Sequence, residues 1–158
     1  RILSARLFQE RFVCILKKDH PILGRPFDRE SFLSLTHILV APDNEGLDVA
    51  DAALASKNFK RRAAVTIPHM HAAPALVASS DMVATAIESV VAHSGFAERL
   101  AVFDFPLPLN PVPFVLSWHR RNDGHPAQQW LRNGLLAAFP HVWLSSENIC
   151  SDLAPQYY

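Results

Sequence analysis

Short apolar runs rich in β-branched residues recur along this chain, and segments patterned for helix lie between them. "RFVCILKK" (11–18), "THILVAP" (36–42), "RAAVTIP" (62–68) and "MVATAI" (82–87) read as strands. The two flanks of the proline-rich stretch within 102–120 read as two more, one short and one long. Helical spacing marks 28–35, where Phe32 and Leu35 repeat behind a capping Asp28, and 47–59, where Leu47, Ala50 and Leu54 share a face. Segments 69–81, 88–96 and 126–139 complete the alternation, with Pro74 and Pro126 suited to first turns and Gly95 to a helix end. Most connections exceed hairpin length and can hold a helical crossover. The fold class predicted is therefore α/β with a largely parallel sheet.

The chain has 158 residues, 49% apolar and 19% charged, enough for one domain with a real core or for two small lobes. Fifteen Lys and Arg balance fifteen Asp and Glu, so the surface is not built to neutralise many phosphates. DNA binding would need a segment outside these residues. Cys14, inside "FVCIL", reads as a buried reduced thiol, and with Cys150 it makes no CxxC pair. Together these suit a cytoplasmic protein. No segment reaches the roughly 20 apolar residues of a membrane span, and "RILSARLFQERF" has no apolar signal core.

Chemistry-bearing residues are scattered. His69 and His71 stand two apart where a helix begins, with no carboxylate or cysteine spaced to complete a tetrahedral metal site. No metal and no cofactor is expected. G-x-S-x-G, H-E-x-x-H and the P-loop are all missing, and Ser79-Ser80-Asp81 reads as a polar stop between helix and strand. Lys57, Lys60, Arg61 and Arg62 read as a solvated helix end. In "VLSWHRRNDGHPAQQWLRN" (115–133) the basic and histidine residues suggest chemistry. Trp118 nevertheless alternates with Leu116 and Phe114 on a strand face, and Trp130 and Leu131 lie with Ala127, Leu135 and Ala138 on one helix face. The stretch reads as a strand, a turn and a docking helix, with Trp130 and Leu131 packed inward.

The ordered series of segments resembles the effector-binding domain of LysR-type transcriptional regulators. "RFVCILKKDHPIL" looks like the family's strand followed by Asp-His-Pro-Leu. Asp51, Leu54, Arg62, Val65, Pro68, Leu76, Val77, Ser80, Asp81, Ala84 and Thr85 stand at matching positions, and "PVPFVLSWHRRNDGHPAQQWLRN" resembles its Pro-x-Pro, Trp-His and Trp-Leu-Arg segment. The likeness runs from residue 7 to about 137. Ile87 stands where the family usually has proline, and His125 where an aspartate commonly caps the last helix, so a weaker cap is expected there.

The resemblance implies a periplasmic-binding-protein-like (type II) two-lobed fold. The second lobe (about 9–85) would be complete, the first partial (about 86–140 returning), and 141–158 an irregular tail. It implies an aromatic or other small organic acid as effector in an interlobe cleft. The expected ligand-binding residues are Pro42, Asn44, Glu45, Gly46, Pro68 and His69, with hinges at Phe8, Thr85 and Ala86. It also implies a homo-oligomer, dimer or tetramer, that touches DNA only through an upstream helix-turn-helix not among these residues. No membrane partner and no catalytic residue are implied. With half of one lobe missing, an apolar face should be left uncovered. A free-standing solute-binding module is the second reading. An enzyme of the same architecture is the third, and it lacks a convergent acid-base set.

Overall fold

Continuous apolar runs such as Val13–Leu16 need cover on both faces, and in the computed structural model they have it. The structure describes residues 1–41 and 49–139. They divide into two units, Glu10–Pro111 and a smaller one formed by Arg1–Gln9 with the chain from Val112 onward.

The larger unit holds strands β2 (Phe12–Lys17), β3 (Thr36–Val40), β4 (Arg62–Ile67), β5 (Val83–Ile87) and β6 (Leu100–Asp104) in the order β4-β3-β5-β2-β6. β3 runs parallel to β4 and β5, while β2 is antiparallel to β5 and β6. The sheet is thus mixed and not largely parallel: two pairings are parallel and two antiparallel, because the reversed strand β2 sits between β5 and β6. Helices α1 (Arg29–Ser34), α2 (Val49–Ala55), α3 (Ala73–Ala78) and α4 (Glu88–Ala92) alternate with the strands.

Period-two alternation sends neighbouring residues to opposite layers. Val13 and Ile15 join Ile38, Val40, Ala84, Ala86, Val77 of α3 and Val91 of α4 in one core. Cys14 and Leu16 join Val83, Phe32 of α1 and Ala50 and Leu54 of α2 in the other. Asp28 caps α1 as expected, its Oδ1 accepting from the Ser31 N–H at 2.8 Å. Asn58 follows α2 in the left-handed region (φ 59°), where the Phe59 N–H donates to the Leu54 carbonyl at 2.9 Å and closes the helix end.

The smaller unit pairs β1 (Ile2–Glu10) with β7 (Val112–His119) and carries α5 (Pro126–Ala138). Phe8 stacks on Phe114 with ring centroids 4.7 Å apart and lies 4.8 Å from Phe139. The Trp118 Nε1–H donates to Asp123 at 2.8 Å, and the Arg132 guanidinium covers the Trp118 ring at 4.7 Å while bonding the Asp123 carbonyl. His125 makes no side-chain cap at the start of α5, as its replacement of an aspartate foretold.

The structure places three sets of expected residues. Residues 86–111, expected in a returning lobe, lie in the larger unit: β6 pairs with β2, and Val91 and Leu100 sit in the core beside α3. The chain passes between units at Gln9–Glu10 and Pro111–Val112. Thr85 and Ala86, expected as hinges, lie inside β5, 4% and 0% exposed and paired with Cys14 and Val13. Phe8 does lie beside a crossing. Finally, α5 half-buries Gln128, Arg132, Leu135 and Leu136, leaving Trp130 and Leu131 at 77% and 54% exposure.

Candidate functional site

Sheet order gathers the strand ends on one rim. β3, β4, β5 and β6 all finish there, and β2 begins there. In open α/β sheets the loops at such ends are where ligands are held, because neighbouring crossovers diverge and leave backbone groups facing outward.

Pro68 and His69 stand on this rim directly after β4, both exposed. The Ala41 N–H donates to the Ile67 carbonyl at 3.0 Å, fixing the ends of β3 and β4 together. His69 precedes a 3-10 turn (Met70–Ala72) in extended conformation, its carbonyl accepting from Ala72 at 3.1 Å. Its imidazole makes no capping hydrogen bond, so the ring is available at the rim. Met70 Sδ accepts from the Ile87 N–H at 3.2 Å, tying this turn to the end of β5. Pro42, Asn44, Glu45 and Gly46, which follow β3 in sequence, lie outside the described residues.

The rim also carries an ion cluster that no sequence pattern announced. Arg11 donates to both oxygens of Glu88, at 2.6 and 2.5 Å, and to Asp104 at 2.7 Å. The Arg11 hydrogen bond is what chiefly holds the Glu88 carboxyl below its usual range. The partners are 77 and 93 residues away, so only the β6-β2-β5 order brings them together. Arg11 follows one crossing between the units and Asp104 precedes the segment leading to the other.

Other chemistry-bearing residues are structural. Among the described residues no group of three or more His, Cys, Asp or Glu could hold a metal ion. Burial pushes the Cys14 thiol up to about 12, which leaves it protonated and inert. Arg61, expected in a solvated helix end, is buried and bonds Asp51 of α2 at 2.7 Å. Burial, with the Arg61 charge second, pushes the His37 imidazole down to about 4; its Nε2 lies 2.9 Å from the Phe32 carbonyl.

A three-layer α/β unit, entered and left by the chain at two crossings and carrying an open strand-end rim, defines a small-molecule-binding fold of the periplasmic-binding-protein-like kind. The LysR substrate binding domain family matches residues 1–140, and the chain belongs to that family. NagR, an HTH-type transcriptional activator of Ralstonia sp, is 30% identical over 134 residues, 85% of this chain and 44% of NagR. The crystal structure of PA0477, a probable transcriptional regulator from Pseudomonas aeruginosa, superposes with a TM-score of 0.76 at 30% identity, over 85% of this chain and 44% of that one. The effector binding domain of QuiR in complex with shikimate superposes at 0.70 with 17% identity, over 90% of this chain and 68% of that one, a likeness of fold alone. The chain spans less than half the length of NagR. Its family makes it an effector-sensing regulatory domain and not an enzyme.

Proposed function

We propose that this domain senses a small organic acid, held on the strand-end rim of the larger unit by His69, Pro68 and the Pro42, Asn44, Glu45 and Gly46 segment. The observation that carries the reading is the exposed His69 ring at the mouth of β4, committed to no cap, beside strand ends locked by the Ala41–Ile67 and Met70–Ile87 bonds. Imidazole and loop amides suit a carboxylate or hydroxyl group, while Pro68 and Met70 offer apolar contact. That QuiR holds shikimate on this fold supports an organic acid as the ligand class.

In the longer protein the domain would govern DNA binding by an upstream helix-turn-helix, act as a homo-oligomer and work in the cytoplasm. Among the described residues no helix is long and apolar enough to cross a membrane. An effector acts only through different affinities for two arrangements of the protein, so the expected behaviour is a ligand-dependent population shift.

Thermal-shift titration with shikimate, benzoate and aliphatic acids tests the reading. At least one acid should raise Tm in the native chain, and His69→Ala should reduce that rise. Stabilisation by none of them would sink the proposal.

A further inference from the structure

At the end of the sheet opposite the rim, β2 finishes at Lys17, β6 starts at Leu100 and α3 ends at Ala78. Between them lies a concavity of about 410 Å³ lined by Lys17, Lys18, Asp19, Ala78, Ser79 and Arg99. Its volume falls within the range of small-ligand pockets.

We propose that this concavity binds a small dianion, a phosphate-bearing or dicarboxylic metabolite, gripped by Lys18 and Arg99. The two residues are neighbours across the strand pair, since the Lys18 N–H donates to the Arg99 carbonyl at 2.9 Å. Arg99 spends one N–H on the Ala78 carbonyl at 3.0 Å, and its guanidinium lies 5.9 Å from the Phe96 ring centroid. That single bond holds the plane in place and leaves further donors of the five-donor fork for a ligand. Lys18 is only loosely matched: Glu98 is 3.9 Å away on a side chain that is 98% exposed. Lys17 is the fixed wall, tied to Asp81 at 2.6 Å. Its charge is neutralised there, and the Asp19 carboxylate on the same wall lies 3.9 Å from it, so the attraction for an anion comes from Lys18 and Arg99.

A dianion fits better than a monoanion because two cations, one just after β2 and one just before β6, can each take one charge. Arg supplies planar two-point recognition and Lys a mobile point charge. The site is separate from the rim, since Pro68 and His69 lie at the other ends of the strands. Binding here would therefore load the same unit from its far side.

The test titrates inorganic phosphate and, separately, malonate into the whole chain at ionic strength matched with sodium chloride, following Tm and calorimetric heat. A dianion-specific rise in Tm is expected with at least one of the two. The Lys18→Gln/Arg99→Gln variant should weaken binding by about tenfold or more, the loss expected when two charge-assisted hydrogen-bond donors go. His69→Ala should leave the response to inorganic phosphate, which is not an organic acid, unchanged, and this separates the site from the rim. If the double variant does not fold, Arg99→Gln alone should still weaken binding, and Lys18→Arg should preserve it. No response beyond chloride, or a response that survives loss of the Lys18 and Arg99 charges, overturns the proposal.

Discussion

His37 is fully buried, with its Nε2 at the Phe32 carbonyl, its ring edge-on to Phe32 at 4.5 Å, and the positive Arg61 nearby. Desolvation opposes its charged form, and the Arg61 charge adds to this; the imidazole stays neutral down to about pH 4. An unfolded histidine titrates near 6.5, so between about pH 6.5 and 4 the unfolded chain binds the extra proton. The contribution of His37 is therefore complete above about pH 6.5 and is lost as pH falls towards 4, about 3 kcal/mol in all. Glu88, Asp28 and Asp81, whose carboxyls are held low, weaken the fold only below their own unfolded values of roughly 4 to 4.5. Urea unfolding at pH 7.5, 6 and 5 should show stability dropping through this window. His37→Gln, which can still donate to the Phe32 carbonyl, should flatten the drop; an unchanged slope in that variant would remove His37 as its cause. At the same scale, Ile15 is fully buried among Ile38, Val77 and Ala84, and Ile15→Ala should cost about 2–5 kcal/mol by denaturant titration.

At the scale of elements, the strands were legible because each carries its own evidence: β2, β3 and β5 are mostly apolar runs buried on both faces, as a sheet covered on both sides requires. Caps were legible too. Asp28→Ala should lower Tm by a few degrees and shorten α1, and circular dichroism and melting would show it. The orientation of α5 was not legible. Its sequence offers an apolar stripe through Trp130 and Leu131, yet Arg132 reaches the Trp118 ring and the Asp123 carbonyl, and a guanidinium held by both a ring and a carbonyl fixes which face docks. Arg132→Leu should thus destabilise the smaller unit more than Trp130→Ala, by about 1–2 kcal/mol if the cation–π contact and charged hydrogen bonds are both lost. Local fluorescence of Trp118 is the readout; equal losses would mean that the exposed stripe carries the packing. The Arg11 cluster was invisible for another reason. Each member is an ordinary surface charge in sequence, and only pairing of β2 with both β5 and β6 makes Glu88 and Asp104 its neighbours. Of the expected rim residues, Pro68 and His69 stand at a strand end, where the general rule for open α/β sheets looks for ligands, whereas Thr85 and Ala86 lie buried within β5 and not at a crossing between the units.

Across the whole molecule, stability should be unevenly shared. Every buried hydrophobic side chain among the described residues lies between Val13 and Phe105, all within the larger unit, and α5 contains no buried residue. The proline-rich connection does not loosen this arrangement, because Phe105 is buried and Leu107 and Leu109 pack against the core of Phe32 and Leu54. Two core layers around one sheet unfold cooperatively, while a 13-residue helix whose docked face is only half-buried holds its hydrogen bonds only marginally against water. Native-state hydrogen exchange should therefore find the amides of β2 and β5 opening only with global unfolding, and those of α5 exchanging through local opening at much lower free energy. For the same reason a polypeptide of residues 10–111 should fold alone, with a denaturant midpoint close to that of the full chain. It carries both core layers and cuts the chain only at the two crossings. If that fragment were unfolded, or if α5 proved as protected as β2, the smaller unit would have to contribute stability that its exposed Trp130, Leu131 and Phe139 do not supply, and the order of assembly would reverse.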